Sequence, residues 1–185
     1  AVGAAIFKST NGGSNWNQIL NPPATNDQTD CYFFDANTGI VVGHNAFIIR
    51  TTNGGSNWQQ IIVNGGFVGD SALGAVAFVN SQLGYISGNN GILLKTTNGG
   101  LNWIRYQTGT LAALQGISFP SSDTGTVVAT AGRIYKTTNG GVNWFQQTSP
   151  ITDPLHEVKF INNNTGWAVG FNGKILKTTD GGGPP

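Results

Sequence analysis

Short apolar runs bounded by glycine and polar residues recur along this chain in a fixed order, and none carries the 3.6-residue period of an amphipathic helix. One kind of run ends in aromatic or aliphatic residues and falls at 31–34, 75–79, 116–119 and 157–161. A second opens on glycine at 39–43, 84–88, 125–129 and 166–170, and a third closes on a basic residue at 48–50, 93–95, 134–136 and 175–177. Runs this short, flanked by turn formers, predict strands. They are named A, B and C, and a fourth strand, D, follows each tryptophan of the repeat. The B–C connections, such as Asn89-Asn90 and Phe171-Asn172, predict tight hairpin turns about two residues long, where Asn tolerates positive φ. Glycine occupies 28 positions, too many for a long helix, so the expected fold is all-β.

The strings STNGGSNW, TTNGGSNW, TTNGGLNW and TTNGGVNW close on Trp16, Trp58, Trp103 and Trp144, which stand 42, 45 and 41 residues apart. A fifth copy is Thr178-Thr179-Asp180-Gly181-Gly182. Four-stranded units repeating at about 40 to 45 residues predict the blades of a β-propeller. The units fall near 1–20, 31–62, 74–107, 114–147 and 155–182 of a single expected domain, 1–185. The first starts at strand B with Ala1-Val2-Gly3 and the last stops after strand C, so 18 strands are expected in five blades, with both end blades incomplete. Open strand edges invite pairing, and self-association through the end blades is one expectation.

The hairpin between strands C and D needs positive φ, which the Gly-Gly pair supplies. The preceding Asn11, Asn53, Asn98 and Asn139, or Asp180, can accept turn N–H groups, and Ser or Thr adds a second local bond. Each Trp then leads into strand D, where it can wedge between blades with its N–H on a partner. A cation would want several carboxylates, and only Asp180 is acidic, so these turns read as fold markers with no metal and no cofactor.

Charged residues are 9% of the chain, against roughly a quarter in ordinary soluble domains. The net charge of +1 and the absence of any Lys or Arg run argue against nucleic acid as a partner. Cys31, the single cysteine, cannot form an internal disulfide, and beside Tyr32-Phe33-Phe34 it reads as a buried strand thiol. No stretch approaches the roughly 18 apolar residues needed to cross a bilayer, so direct membrane insertion is not expected. A chain opening on Ala1 and ending in Gly183-Pro184-Pro185 reads as a processed or excised part of something longer.

The pattern [S/T]-x-[N/D]-G-G-x-N-W resembles the Asp-box of BNR-type propellers. The fuller string from Gly166-Trp167-Ala168-Val169-Gly170 through Lys177-Thr178-Thr179-Asp180-Gly181-Gly182 is similar to the photosystem II stability/assembly-factor family. That resemblance implies a propeller, usually seven-bladed among the assembly factors, and a secreted setting: extracellular or cell surface, with periplasm or lumen as the alternative. Asp-boxes also occur in sialidases, which makes glycoside hydrolysis the enzyme alternative. That chemistry needs paired carboxylates or a tyrosine and an arginine cluster, whereas this chain has one glutamate, Glu157, and three arginines. His44 and His156 lack zinc-ligand spacing.

Two candidate surfaces remain. Lys8, Arg50, Lys95, Lys136 and Lys177 put one basic residue at the same point of every blade, either as a ring for an anionic partner or as side chains snorkelling to water or capping a local carbonyl. The D–A connections vary in length and sequence on a repeating frame, where binding residues normally sit. With the adjacent B–C turns they would gather Asp27, Asp30, His44, Asn45, Phe67, Asp70, Asn89, Asn90 and Asp153 on one rim. The expected function is a non-catalytic scaffold contacting a protein or glycan. The alternatives are a carbohydrate-active enzyme and a subunit of a surface fibre or coat.

Overall fold

The computed structural model describes residues 3–20, 26–63 and 71–183, which form 17 strands in five antiparallel sheets. The first blade pairs β1 (Ile6–Lys8) with β2 (Asn17–Leu20). The second runs β3 (Gln28–Phe33), β4 (Gly39–Gly43), β5 (Phe47–Thr51) and β6 (Gln59–Gln60). The third runs β7 (Leu73–Phe78), β8 (Gly84–Gly88), β9 (Ile92–Thr96) and β10 (Ile104–Gln107). The fourth holds β11 (Leu114–Ser118), β12 (Gly125–Ala129), β13 (Ile134–Thr137) and β14 (Phe145–Gln147), and the fifth has β15 (Leu155–Phe160), β16 (Gly166–Gly170) and β17 (Ile175–Thr178).

This is the propeller architecture expected, with 17 strands among the described residues in place of 18. Ala1 and Val2 of the expected first strand lie outside them, and Gly3 stands in no strand, although its carbonyl accepts the Gln28 N–H at 2.9 Å. The A strands start two or three residues earlier than the apolar pattern implied. The reason is a register shift near the start of each, between Gln28 and Asp30, Leu73 and Ala75, Leu114 and Gly116, and Leu155 and Glu157, which breaks the alternation there.

Strands β3, β7, β11 and β15 pack in series as the innermost strand of each successive blade. A blade is a sheet with two apolar faces, because side chains alternate along each strand. One face of each of the first four blades meets the next blade: Ile40, Val42 and Ile48 of the second pack with Val76, Phe78 and Trp103 of the third. Tyr85 and Leu93 of the third pack with Phe119, Val127 and Tyr135 of the fourth. The core therefore lies between blades. At the strand A–B corner the rings of Phe33, Phe78, Phe119 and Phe160 lie over Gly39, Gly84, Gly125 and Gly166, where an added Cβ would stand within 2.6 Å of the ring.

The B–C connection is a three-residue turn, as at Asn89–Gly91, Thr130–Gly132 and Phe171–Gly173, rather than the two-residue hairpin expected. Its second and third residues both take positive φ, at Asn90 (55°) and Gly91 (65°) for example, which adds one residue to the loop. In the second blade these places are held by Asn45 (φ 56°) and Ala46 (φ 55°), so alanine stands in the left-handed region where the other blades use glycine. Ala46→Gly is expected to raise unfolding free energy by about 0.5–1 kcal/mol, the left-handed penalty less the added unfolded-state entropy. Gly91→Ala should lower it by about 2 kcal/mol or more, because its Cβ would stand 1.9 Å from the Thr110 carbonyl oxygen. Urea unfolding of the two variants checks both signs.

Candidate functional site

In each copy of the repeat turn the side-chain acceptors are used inside the turn. Thr51 Oγ1 donates to Asn53 Oδ1 at 3.1 Å and accepts the Gly55 N–H at 2.9 Å, while Asn53 Oδ1 accepts the Asn57 N–H at 2.9 Å. Thr96 with Asn98, Thr137 with Asn139, and Ser9 with Asn11 repeat this. In the last copy Asp180 takes the Thr178 hydroxyl at 2.6 Å, and that bond, with the Gly182 N–H, holds its carboxyl below the ordinary range.

The main chain of the turn faces outward from this lock. The first glycine donates its N–H to the A–B turn of its own blade, Gly54 to Asn37 at 2.8 Å, Gly99 to Gln82 at 2.9 Å, Gly140 to Asp123 at 2.8 Å and Gly181 to Asn164 at 2.7 Å. Its carbonyl accepts from the basic residue of the preceding blade: Lys8 Nζ to Gly54 O at 2.8 Å, Arg50 Nε to Gly99 O at 3.1 Å, Lys95 Nζ to Gly140 O at 2.8 Å and Lys136 Nζ to Gly181 O at 2.9 Å. Four of the five basic residues are thus latches between blades, each donating to a glycine carbonyl of the next blade. The fifth, Lys177, is exposed, with Nζ 5.7 Å from the Trp167 ring centroid.

The tryptophans fill the same joints. Trp58, Trp103 and Trp144 meet Phe33, Phe78 and Phe119 edge-on at 6.3, 5.9 and 5.9 Å and belong to the clusters between blades. The expected N–H partner is present at Trp144, which donates to Gly141 O at 3.2 Å; the buried indole nitrogens of Trp58 and Trp103 have none among the described residues. Trp16 is 52% exposed.

The B–C turns and D–A connections emerge together, stitched by His44 N–H to Asp27 O at 2.9 Å and Asn89 N–H to Ala72 O at 2.8 Å. His44, Asn45, Asp27 and Asn90 are exposed there and Asn89 is half-buried; Asn172 Nδ2 donates to Asp153 Oδ1 at 2.6 Å. Phe67 and Asp70 lie outside the described residues. Asp30 does not join the rim: it is the third residue of β3, and its carboxylate ties two blades by accepting the Cys31 N–H at 2.7 Å and the Val76 N–H at 2.9 Å. Cys31, expected buried, is a half-buried thiol in the same strand.

A recess of about 760 Å³ opens between the D–A connection at 108–113 and Thr130, Arg133, Tyr135 and Gln146. Tyr135 Oη donates to Thr110 Oγ1 at 3.0 Å, which also accepts the Ala112 N–H at 3.0 Å, and Thr108 Oγ1 donates to Gly91 O at 2.9 Å. Leu111 is 85% exposed and the side chain of Arg133 is exposed. The sequence pointed to the D–A connections as a class, of which 108–113 is one, but to neither of these residues. For Leu111 the available signal was an apolar residue in a polar connection; Arg133, directly after the left-handed Ala131-Gly132 pair and ahead of β13, carried none.

Two carboxyls sit at equivalent positions of the second and fifth blades. Burial pushes Asp30 up from the ordinary range against its two backbone bonds, and burial also raises Glu157, whose Oε1 accepts the Val158 N–H at 2.9 Å, with the Asp30 charge adding to the shift. Among the described residues no group of three or more His, Cys, Asp or Glu could hold a metal ion, and no helix is long and apolar enough to cross a membrane.

A family model described as photosynthesis system II assembly factor YCF48 matches residues 8–152. No curated protein sequence matches the chain. Among solved structures, YCF48 bound to D1 peptide superposes with a TM-score of 0.71 at 20% identity, over 95% of this chain and 57% of that one. A GH74 enzyme from Niastella koreensis gives 0.74 at 22% identity, over 98% of this chain and 33% of that one. YCF48 from Cyanidioschyzon merolae gives 0.51 at 16% identity, over 94% and 76%. The chain therefore spans little more than half of the first neighbour and a third of the second. Identities this low establish the fold.

The latches carry a direct test. Lys136→Met, which leaves the buried Gly181 carbonyl without its charged donor, is expected to cost about 1.5–3 kcal/mol, whereas Lys177→Met should change unfolding free energy by less than about 0.5 kcal/mol. Asp30 supplies a pH test. A carboxyl raised in the folded state binds its proton more tightly there, so its contribution to stability is lost as pH rises from the ordinary value of 3.8 through the folded value. Asp30→Asn should therefore gain stability relative to the parent protein as pH rises from about 4 to 7, beyond any constant offset from altered hydrogen bonding. A difference that does not vary with pH would contradict this.

Proposed function

Since the chain belongs to the family of photosynthesis system II assembly factor YCF48, we propose that it is a non-catalytic propeller scaffold that binds a protein segment on the face formed by its B–C turns and D–A connections. The observation that carries this reading is the recess beside 108–113, where Leu111 and Arg133 face solvent while the polar groups of the repeat turns are engaged in the blades' own joints. A guanidinium next to an exposed aliphatic side chain suits a peptide that carries a carboxylate near an apolar residue. A neighbour from the same family holds a D1 peptide, which supports a peptide as the class of ligand here. Asp27, His44, Asn45, Asn89, Asn90 and Asp153 form the rest of the proposed rim. An extracellular, periplasmic or lumenal setting belongs to the same proposal.

The second reading, a glycoside hydrolase, is favoured by the GH74 neighbours and by the two raised carboxyls. Against it, both oxygens of Asp30 accept backbone N–H groups that hold adjacent blades together, which leaves that carboxylate committed. A glycan contact without turnover would use the same rim.

Fluorescence anisotropy with a labelled D1 peptide tests the proposal. Arg133→Ala and Leu111→Ser should each weaken binding about tenfold, equivalent to roughly 1.4 kcal/mol, with Lys177→Met unchanged. Equal affinity in all four proteins would reject the recess. Turnover of a glycan panel that disappears in Asp30→Asn would favour the enzyme instead.

A further inference from the structure

The recess beside Leu111 continues past Arg133. A further recess of about 380 Å³ lies on the other flank of the fourth blade's B–C turn, between residues 131–133 and the D–A connection at 148–152. Arg133 and Gln146 line both recesses, so the two meet there as one cleft across the end of the fourth blade. The walls of the second recess are fixed. A Cβ added at Gly132 would stand 2.1 Å from the Ile151 carbonyl oxygen, which puts turn and connection in contact. Ser149 Oγ donates to that carbonyl at 3.2 Å and accepts the Ile151 N–H at 3.4 Å, and this holds the connection in shape.

Arg133 holds a place that the scaffold elsewhere fills with buried apolar side chains. The first residue after the B–C turn is Phe47 in the second blade, 7% exposed, and Ile92 in the third, 2% exposed. In the fourth blade the main chain still closes the turn, with the Ala129 N–H on the Arg133 carbonyl at 2.9 Å, yet the side chain is an exposed guanidinium. A residue that breaks the local rule with no gain in packing marks a functional position. The two flanks of the cleft differ in chemistry: Leu111, Ala112 and Ala113 line one, and the exposed Thr148 and Thr152 line the other. Among the described residues the side chains of Arg133, Gln146, Thr148 and Thr152 make no hydrogen bond or ion pair, so their donors and acceptors are open to a ligand.

We propose that this cleft reads an extended peptide segment in which an acidic residue stands between an aliphatic residue on one side and a hydroxyl-bearing residue on the other. Alternate side chains of an extended chain point the same way, so the three recognised residues are spaced two apart. The carboxylate pairs with the guanidinium fork of Arg133, the aliphatic side chain lies against Leu111, and the hydroxyl bonds Thr148 and Thr152. The Gln146 amide, with both a donor and an acceptor, meets the main chain of the segment. This rests on the peptide reading above and extends it, by adding the second recess and by fixing the order of residue types. Discrimination comes from the second recess, because an aliphatic residue placed there would cover two threonine hydroxyls without replacing their bonds to water.

Fluorescence anisotropy with three labelled, amidated peptides tests the order. One carries leucine, glutamate and threonine at alternate places with glycine elsewhere, the second exchanges the leucine and the threonine, and the third has alanine in place of threonine in whichever order binds more tightly. One order should bind about tenfold more tightly than the other. A Thr148→Val, Thr152→Val double variant should bind the favoured peptide about fivefold more weakly and bind its alanine version as the parent protein does. Both threonines are exposed, and cooperative melting establishes that the variant folds. Lys174→Ala, which removes an exposed charge at the equivalent place of the fifth blade and lines neither recess, should change nothing. Equal binding of the two orders, absence of binding by all three peptides, or a loss in the double variant that is the same with and without the threonine would each overturn the proposal. If Arg133→Ala and Leu111→Ser weaken the D1 peptide while the double variant binds every peptide as the parent does, the second recess is rejected and the peptide reading stands; if none of these changes alters binding, both fall.

Discussion

A lysine or arginine on one blade, reaching a glycine carbonyl in the turn of the next, is the contact that sets how these blades stand against one another. Each blade is too small to be stable alone and has apolar side chains on both faces, so it must be stacked. Apolar stacking is not directional, and two flat faces could slide. The latch removes that freedom, because the carbonyl it grips belongs to a glycine whose N–H is already fixed to the A–B turn of its own blade. The Thr-Asn lock inside the turn then serves to aim that carbonyl. Tyr85 adds to the grip in the third blade, donating to Gly140 O at 3.1 Å beside Lys95 and stacking on Phe119 at 3.6 Å; the same burial pushes its hydroxyl up to about 12.

The architecture was legible because a propeller repeats its errors and its successes together. Four nearly identical strings ending in Trp16, Trp58, Trp103 and Trp144 fix the period, and the strands B and C fall where alternation put them. What was not legible lies where alternation breaks. The bulge before Asp30 hid the first residues of the A strands, and it led that aspartate to be read as a loop residue when it is a bond between blades. Similarly, a string shows that Lys95 recurs but not that its partner is 45 residues onward, since contacts between successive units look the same as contacts within one. Arg133 precedes the run at 134–136, outside the positions that define the repeat, so nothing in the string set it apart from the other connecting residues.

These findings move functional weight away from the repeat itself. Its asparagines, threonines and four of its five basic residues are occupied within the turns and the joints between blades. The variable connections, by contrast, carry side chains that the scaffold does not need, and Leu111 and Arg133 stand where a rigid frame presents them at low entropic cost. Family membership and the loop-face recess point in the same direction by independent routes, one through the repeat and the other through residues outside it.

The central claim is that the turn is held by the joint between blades and not by its own local chemistry. Amide hydrogen exchange separates the two, because the local bonds are the same in every copy: the N–H of Gly13, Gly55, Gly100 and Gly141 reaches a Ser or Thr hydroxyl at 2.8, 2.9, 3.0 and 3.0 Å. Among the described residues, only Gly13 lies in a turn that no preceding blade latches. The account predicts that in dilute protein Gly13 exchanges orders of magnitude faster than Gly55, Gly100 and Gly141; equal protection at all four glycines would contradict it.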